Sequence, residues 1–221
     1  MGCDGVRSLG PHLANLSALQ HLNMYGNKMG YEGARSLGPH LTSLSSLQHL
    51  CIGGNCLGAE GAREVGPYVA SLSALQHISV DYNRIGDDGS KALGPYLATL
   101  LSLKHVYLGR NGIGNKGARE LGPYLASLSS LHDLDISQND IGDEGVRALG
   151  PHLANLSALQ CFAIGNNNIG DEGARALGPH LANLSSLRRL NLQLNKLVMR
   201  VPEHWGSTSP AICLCSASKW A

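Results

Sequence analysis

LQHLNMYGNKMGYEGARSLGPHLTSLSS, from Leu19 to Ser46, is one unit of a repeat that fills most of the chain. Its head, Leu19-x-x-Leu22-x-Met24-x-x-Asn27, alternates apolar and polar residues, as a short strand with one buried face requires. Gly30 follows, where a turn would strain any residue carrying a Cβ. Ala34, Leu37, Leu41 and Leu44 then recur at three- and four-residue steps, a helical stripe. Gly38-Pro39 falls inside that stripe. Pro39 offers no N–H, so a short helix that kinks or tightens there is expected. Acidic residues open the helical part in several units, as in Tyr31-Glu32, Asp87-Asp88, Asp143-Glu144 and Asp171-Glu172. Acids suit the positive end of a helix dipole, and Asp can cap it.

The unit recurs at a constant step. Leu19, Leu47, Leu75, Leu103, Leu131, Leu159 and Leu187 share one phase, 28 residues apart (47 − 19 = 28). Pro11, Pro39, Pro67, Pro95, Pro123, Pro151 and Pro179 keep the same step, and GPHLANLSALQ stands identically at 10–20 and 150–160. So do Asn27, Asn55, Asn83, Asn111, Asn139, Asn167 and Asn195, whose carboxamides suit backbone groups that leave a strand ladder. One unit cannot stand alone. A buried Leu contributes roughly 1.5–3 kcal/mol, while ordering the backbone costs about 1 kcal/mol or more per residue. Stacked units solve this, so an α/β solenoid is expected. Seven short parallel strands, about 4.8 Å apart, would line its concave face. Wider, kinked helices would splay over the convex face.

The pattern L-x-x-L-x-L-x-x-N-x-[LIM]-G-x-x-G-x-x-x-L-x-x-x-L, carried by residues 1–197, resembles the leucine-rich repeat of the ribonuclease-inhibitor-like class. Similar repeats form the recognition domains of NOD-like receptors and the body of the Ran GTPase-activating protein. The resemblance implies a right-handed βα horseshoe used in protein recognition and signalling. The solenoid would occupy 1–197, a partial first unit plus seven strand units. Here the units keep one length rather than alternating, and cysteine is sparse.

Composition narrows the function. A formal charge of +1 gives no field to draw nucleic acid or anionic lipid. No stretch approaches the roughly 20 apolar residues of a membrane span, and MGCDGVRSLG is not a signal peptide. Cys3, Cys51, Cys56, Cys161, Cys213 and Cys215 lack metal-ligand spacing and read as free thiols of a reducing compartment. A cytoplasmic monomer without metal or cofactor is expected. Phosphate loops, HExxH and nucleophile elbows are missing, so no catalysis is expected.

The columns that vary between units are candidates for contact with a protein partner. One reads His21, His49, His77, His105, Asp133, Cys161 and Arg189. The next holds Asn23, Tyr107 and Asp135, and those beyond it Tyr25, Asp81 and Gln193, then Tyr82 and Arg110; all are assigned to the concave face. The histidine ladder admits three readings: a metal site, a binding face that charges near pH 6.5, and a surface pair copied with the repeat. A second ladder, His12, His40, Tyr68, Tyr96, Tyr124, His152 and His180, falls on the helical side as structure or satellite surface. One alternative function is a GTPase-activating regulator resembling the Ran activator, with Arg110 as its projecting arginine. Another is a truncated fragment without selected function.

Residues 198–221, VMRVPEHWGSTSPAICLCSASKWA, break the repeat. One DNA spelling of Gly170–Gly178 (GDEGARALG), read from its second base, encodes Val-Met-Arg-Val-Pro-Glu-His-Trp, which is Val198 to Trp205. A frameshift-derived tail, disordered or a poor cap, is therefore expected. The competing view is a selected cap using Trp205, Ile212 and Trp220. Met1-Gly2 aligns with Met29-Gly30, so both ends read as cut from a longer array.

Overall fold

The computed structural model describes residues 2–197; the tail at 198–221 lies outside the described residues. Helices and strands alternate: α1 (Gly2–Leu13), β1 (His21–Asn23), α2 (Gly30–Leu41), β2 (His49–Cys51), α3 (Gly58–Val69), β3 (His77–Ser79) and α4 (Gly86–Leu97). They continue as β4 (His105–Tyr107), α5 (Asn115–Leu125), β5 (Asp133–Asp135), α6 (Gly142–Leu153), β6 (Cys161–Ala163), α7 (Asp171–Leu181) and β7 (Arg189–Asn191). The strands form one parallel seven-stranded sheet in chain order. His21 pairs with His49, His77 with His105, and so through the sheet, so every unit is in register with the next. This is the βα solenoid expected above, strands on the concave side and helices on the convex side.

The core is a set of aliphatic columns. Leu22, Leu50, Ile78, Val106, Leu134 and Phe162 point inward from the strands and are buried. They meet Leu37, Val65, Leu93, Leu121, Leu149 and Leu177 from the helices. Burial of each side chain supplies about 1.5–3 kcal/mol, and only stacking removes both faces of each layer from water. Each proline sits in the last turn of its helix, as Pro39 does within Gly30–Leu41. There its missing N–H removes one hydrogen bond without splitting the helix.

The second ladder has its explanation here. A Cβ at Gly94 would lie 2.4 Å from Cδ2 of Tyr124, the equivalent of Pro-following Tyr96 one unit on. The glycine is a slot for the next unit's ring, and the same fit recurs with His40 on Gly10 and His180 on Gly150. These rings are helix-to-helix packing groups.

The asparagine column stitches units together. Asn83 is fully buried. Its Oδ1 accepts the N–H groups of Asn55 and Leu57, and its Nδ2 donates to the carbonyls of Ile52 and Val80. Three of those four partners belong to the preceding unit. The acids at the helix starts also act across units. Asp87 lies in the first turn of α4, yet its Oδ1 accepts the N–H groups of Gly114 and Gly117, at 2.7 and 2.8 Å. Those amides are the N-terminus of α5. Asp143 does the same for Gly170 before α7, at 2.6 Å. Self-capping is therefore corrected to capping of the following helix. Where that donor is bound, the turn changes: Gly86 has φ of +62°, but Gly114 is extended at −92°.

Candidate partner-binding face

Parallel register sets the outward positions of the strands side by side. His21, His49, His77 and His105 form one row, continued by Asp133, Cys161 and Arg189. The rings of His21 and His49 stack at 4.1 Å with planes 16° apart. His49 and His77 follow at 5.3 Å, and His77 and His105 at 5.7 Å, with growing tilt. Tyr107, in the neighbouring row, leans on His77 at 5.0 Å. The ring row ends where His105 Nδ1–H donates to Asp133 Oδ2 at 2.6 Å. Farther along, Arg189 Nε–H donates to Cys161 Sγ at 2.9 Å.

The middle of the row resists protonation. Burial lowers His77 to about 4, and the imidazoles of His49 and His105 push the same way, against Asp133. His49 is lowered by burial and by His21. A face that charges near pH 6.5 is thus corrected for His77: a proton there would sit between two imidazoles in a half-buried place. Tyr107 is pushed up to about 12 by burial, then by Asp133, Asp135 and Asp81. Burial also raises the Cys161 thiol, so it is no activated nucleophile. Imidazole lone pairs lie in the ring planes, and stacked rings aim them side by side rather than at one point. Among the described residues no group of three His, Cys, Asp or Glu is placed to hold a metal ion, and Cys3, Cys51, Cys56 and Cys161 are free thiols.

Several candidates shape the backbone. Asn23 Oδ1 accepts the Tyr25 N–H, Asp135 Oδ1 that of Ser137, and Asn191 Oδ1 that of Gln193. Each side chain folds the turn that follows its strand. Asp81 Oδ2 accepts Ser79 Oγ–H at 2.8 Å and its Oδ1 accepts the Gly109 N–H at 2.7 Å. Burial nevertheless raises its pKa above the usual carboxylate value, with Asp135 adding to the rise.

Tyr82 and Arg110 need a correction of place. Both lie beyond the strand ends, in turns with φ of +59° and +53°. Strand alternation would have buried that column beside Met24, but the left-handed turn swings it outward at the rim. Tyr82 meets Tyr25 edge to face at 6.4 Å, and the Arg110 guanidinium lies 4.5 Å above the Tyr82 ring. The activator reading needed Arg110 projecting; here it is folded onto an aromatic ring. Sequence reasoning set Ser79 in the same column as Asn23 but missed its bond to Asp81, of which a small polar residue gives no signature. It also missed Gly53-Gly54, visible as a pair of glycines between two tyrosine-bearing units.

Taken together, an in-register repeat, a buried asparagine column and an outward strand face define a repeat solenoid. The chain belongs to the leucine-rich-repeat family: the leucine-rich-repeat model matches residues 16–38, 43–66, 72–94, 99–122, 127–150 and 156–178. No curated protein matches it in sequence. Among solved structures it is similar to internalin C2 from Listeria monocytogenes, with a TM-score of 0.57 and 23% identity over 90% of this chain and 85% of that one. It is similar to the actin-binding site 2 of leiomodin-1, with a TM-score of 0.57 and 14% identity over 71% and 88%. A third is the Arabidopsis receptor kinase HAESA, in complex with the peptide hormone IDA and the co-receptor SERK1. There the TM-score is 0.56 and identity 21%, over 86% of this chain and 28% of that one. At these identities the likeness is one of fold.

Proposed function

We propose that the chain is a protein-binding module without catalysis of its own, and that its partner lies on the concave face across β1 to β5. One observation carries this. Side chains of varied chemistry, from His21 through Tyr107 to Asp135, stand outward on a frame whose inward residues are buried. Two structurally similar proteins have protein partners, actin for leiomodin-1 and a peptide hormone and co-receptor for HAESA. A monomer in the cytoplasm, part of a larger intracellular recognition or signalling protein, fits a nearly neutral chain with free thiols. Neither nucleic acid nor membrane is needed as a partner. Among the described residues no helix is long and apolar enough to cross a membrane.

The test is position-specific photo-crosslinking in cells. A photoreactive residue at His21, exposed on the strand face, should capture a protein reproducibly. The same residue at Arg63 or Lys91, on the helices, should not. Capture at all positions alike, or none at His21, overturns the proposal.

A further inference from the structure

We propose that Tyr25, Tyr82 and Arg110 form a docking site for an acidic peptide segment of the partner, with Arg110 holding a carboxylate and the two tyrosines flooring the chain beside it. This rests on the protein-binding reading above and specifies the partner's chemistry.

The site is built from an absence of side chains in the second unit. A Cβ at Gly53 would lie 2.9 Å from Tyr25 Cδ2, and one at Gly54 would lie 3.3 Å from Tyr25 Cζ. With glycine at both places, the Tyr25 ring lies across the second unit and reaches Tyr82 in the third. Tyr25 remains 51% exposed and Tyr82 42% exposed. Tyr82 and Arg110 both take left-handed backbone, which a bulky residue adopts only at a cost. Gly26 and Gly54 occupy the same column in the first two units, with φ of +73° and +67°. Large side chains are thus presented outward where glycine would sit more easily.

The charge is free to act. The Arg110 Cζ lies 4.5 Å from the centre of the Tyr82 ring, and a guanidinium held over a ring can still present N–H donors to a bidentate carboxylate. Among the described residues no carboxylate pairs with Arg110, Arg84 or Lys28. All three cations are exposed in the turns that follow β1, β3 and β4. The acid among those turns, Asp81, is already bonded to Ser79 and Gly109. Its grip on the Gly109 amide fixes the residue before Arg110. An anion is the complementary charge, and the exposed rings favour one carried on a peptide over a bare phosphate.

A fluorescein-labelled peptide alternating glutamate and leucine is the probe, read by anisotropy and by the Arg110 Nε–H resonance. Saturable binding is expected, with a shift of that resonance. Arg110→Ala or Tyr82→Ala should weaken it about tenfold or more, while Tyr82→Phe, which keeps the ring, should retain it. Arg175→Ala on the convex side is the control for general charge. Three outcomes overturn the proposal: unchanged binding by Arg110→Ala, an equal loss in Arg175→Ala, or displacement of the peptide by inorganic phosphate at millimolar concentration. Crosslinking from His21 separates the two proposals. If wild type and Arg110→Ala capture a protein there equally, the rim site falls and the concave-face reading stands. If wild type captures nothing, that reading itself falls.

Discussion

Asn83 illustrates how a single residue holds two units together. Its carboxamide satisfies four backbone groups in a fully buried place. Truncation would leave those groups unpaired, each costing about 1–3 kcal/mol when buried. Asn83→Ala should therefore cost about 3 kcal/mol or more in urea unfolding. Asn27→Ala should cost much less, because among the described residues its carboxamide donates to Met24 and Tyr25 of its own unit and accepts from none. His77 makes a different prediction. Its folded pKa of about 4 lies below the usual value of 6.5, so the unfolded chain takes the proton first. Stability should fall as pH drops from about 6.5 to about 4. His21, His49 and His105 oppose a proton at His77, and Asp133 favours one. Asp81, with a raised pKa, works in the opposite sense at the acid end. Urea midpoints measured across that range should slope for wild type and be flatter for His77→Asn.

At the scale of the element, helix contacts were only half legible. The Gly-Pro pair was expected to kink or tighten the helix, and its glycine also proves to be a seat for the next unit's ring. Gly94→Ala tests this. Alanine should gain up to about 1 kcal/mol of helix propensity, but its Cβ would collide with Tyr124. Overpacking costs about 1–3 kcal/mol, so net destabilisation is expected, and Tyr124→Ser in the same chain should recover it. Asp87 makes a second case. An acid at a helix start was visible in sequence, but its true partner is a helix 27 residues away. Asp87→Ala should cost about 1–2 kcal/mol, with faster amide exchange at Gly114 and Gly117. Asp88→Ala, exposed and beside it, should be near neutral.

The whole molecule is quasi-one-dimensional. Each helix packs on the helices of adjacent units, and each strand pairs with adjacent strands. Removing residues 75–102, one full unit, joins Ala74 to Leu103 in the same phase. The product should keep its circular dichroism per residue and lose part of its urea midpoint. Removing 75–100 instead slips the asparagine column out of step and should abolish cooperative unfolding.

The sequence by itself determined the period, the strand and helix phases, the solenoid and the inward columns. Each follows from local spacing: Leu19, Leu22 and Met24 alternate, Leu37 and Leu41 step by four, and the interval between units never varies. It also placed the histidines in one row, because equal spacing on parallel strands means adjacency. Only the tertiary structure decided what those rows do. His77 resists a proton first because it is half-buried and then because an imidazole stands on either side of it. Tyr82 and Arg110 stand at the rim because the turn there has a positive φ, which no alternation rule foresees. Asp87 caps a neighbour because the helices stack closely enough for its carboxylate to reach. These outcomes depend on distances between units, and a repeat pattern states the order of the units without stating how near they come.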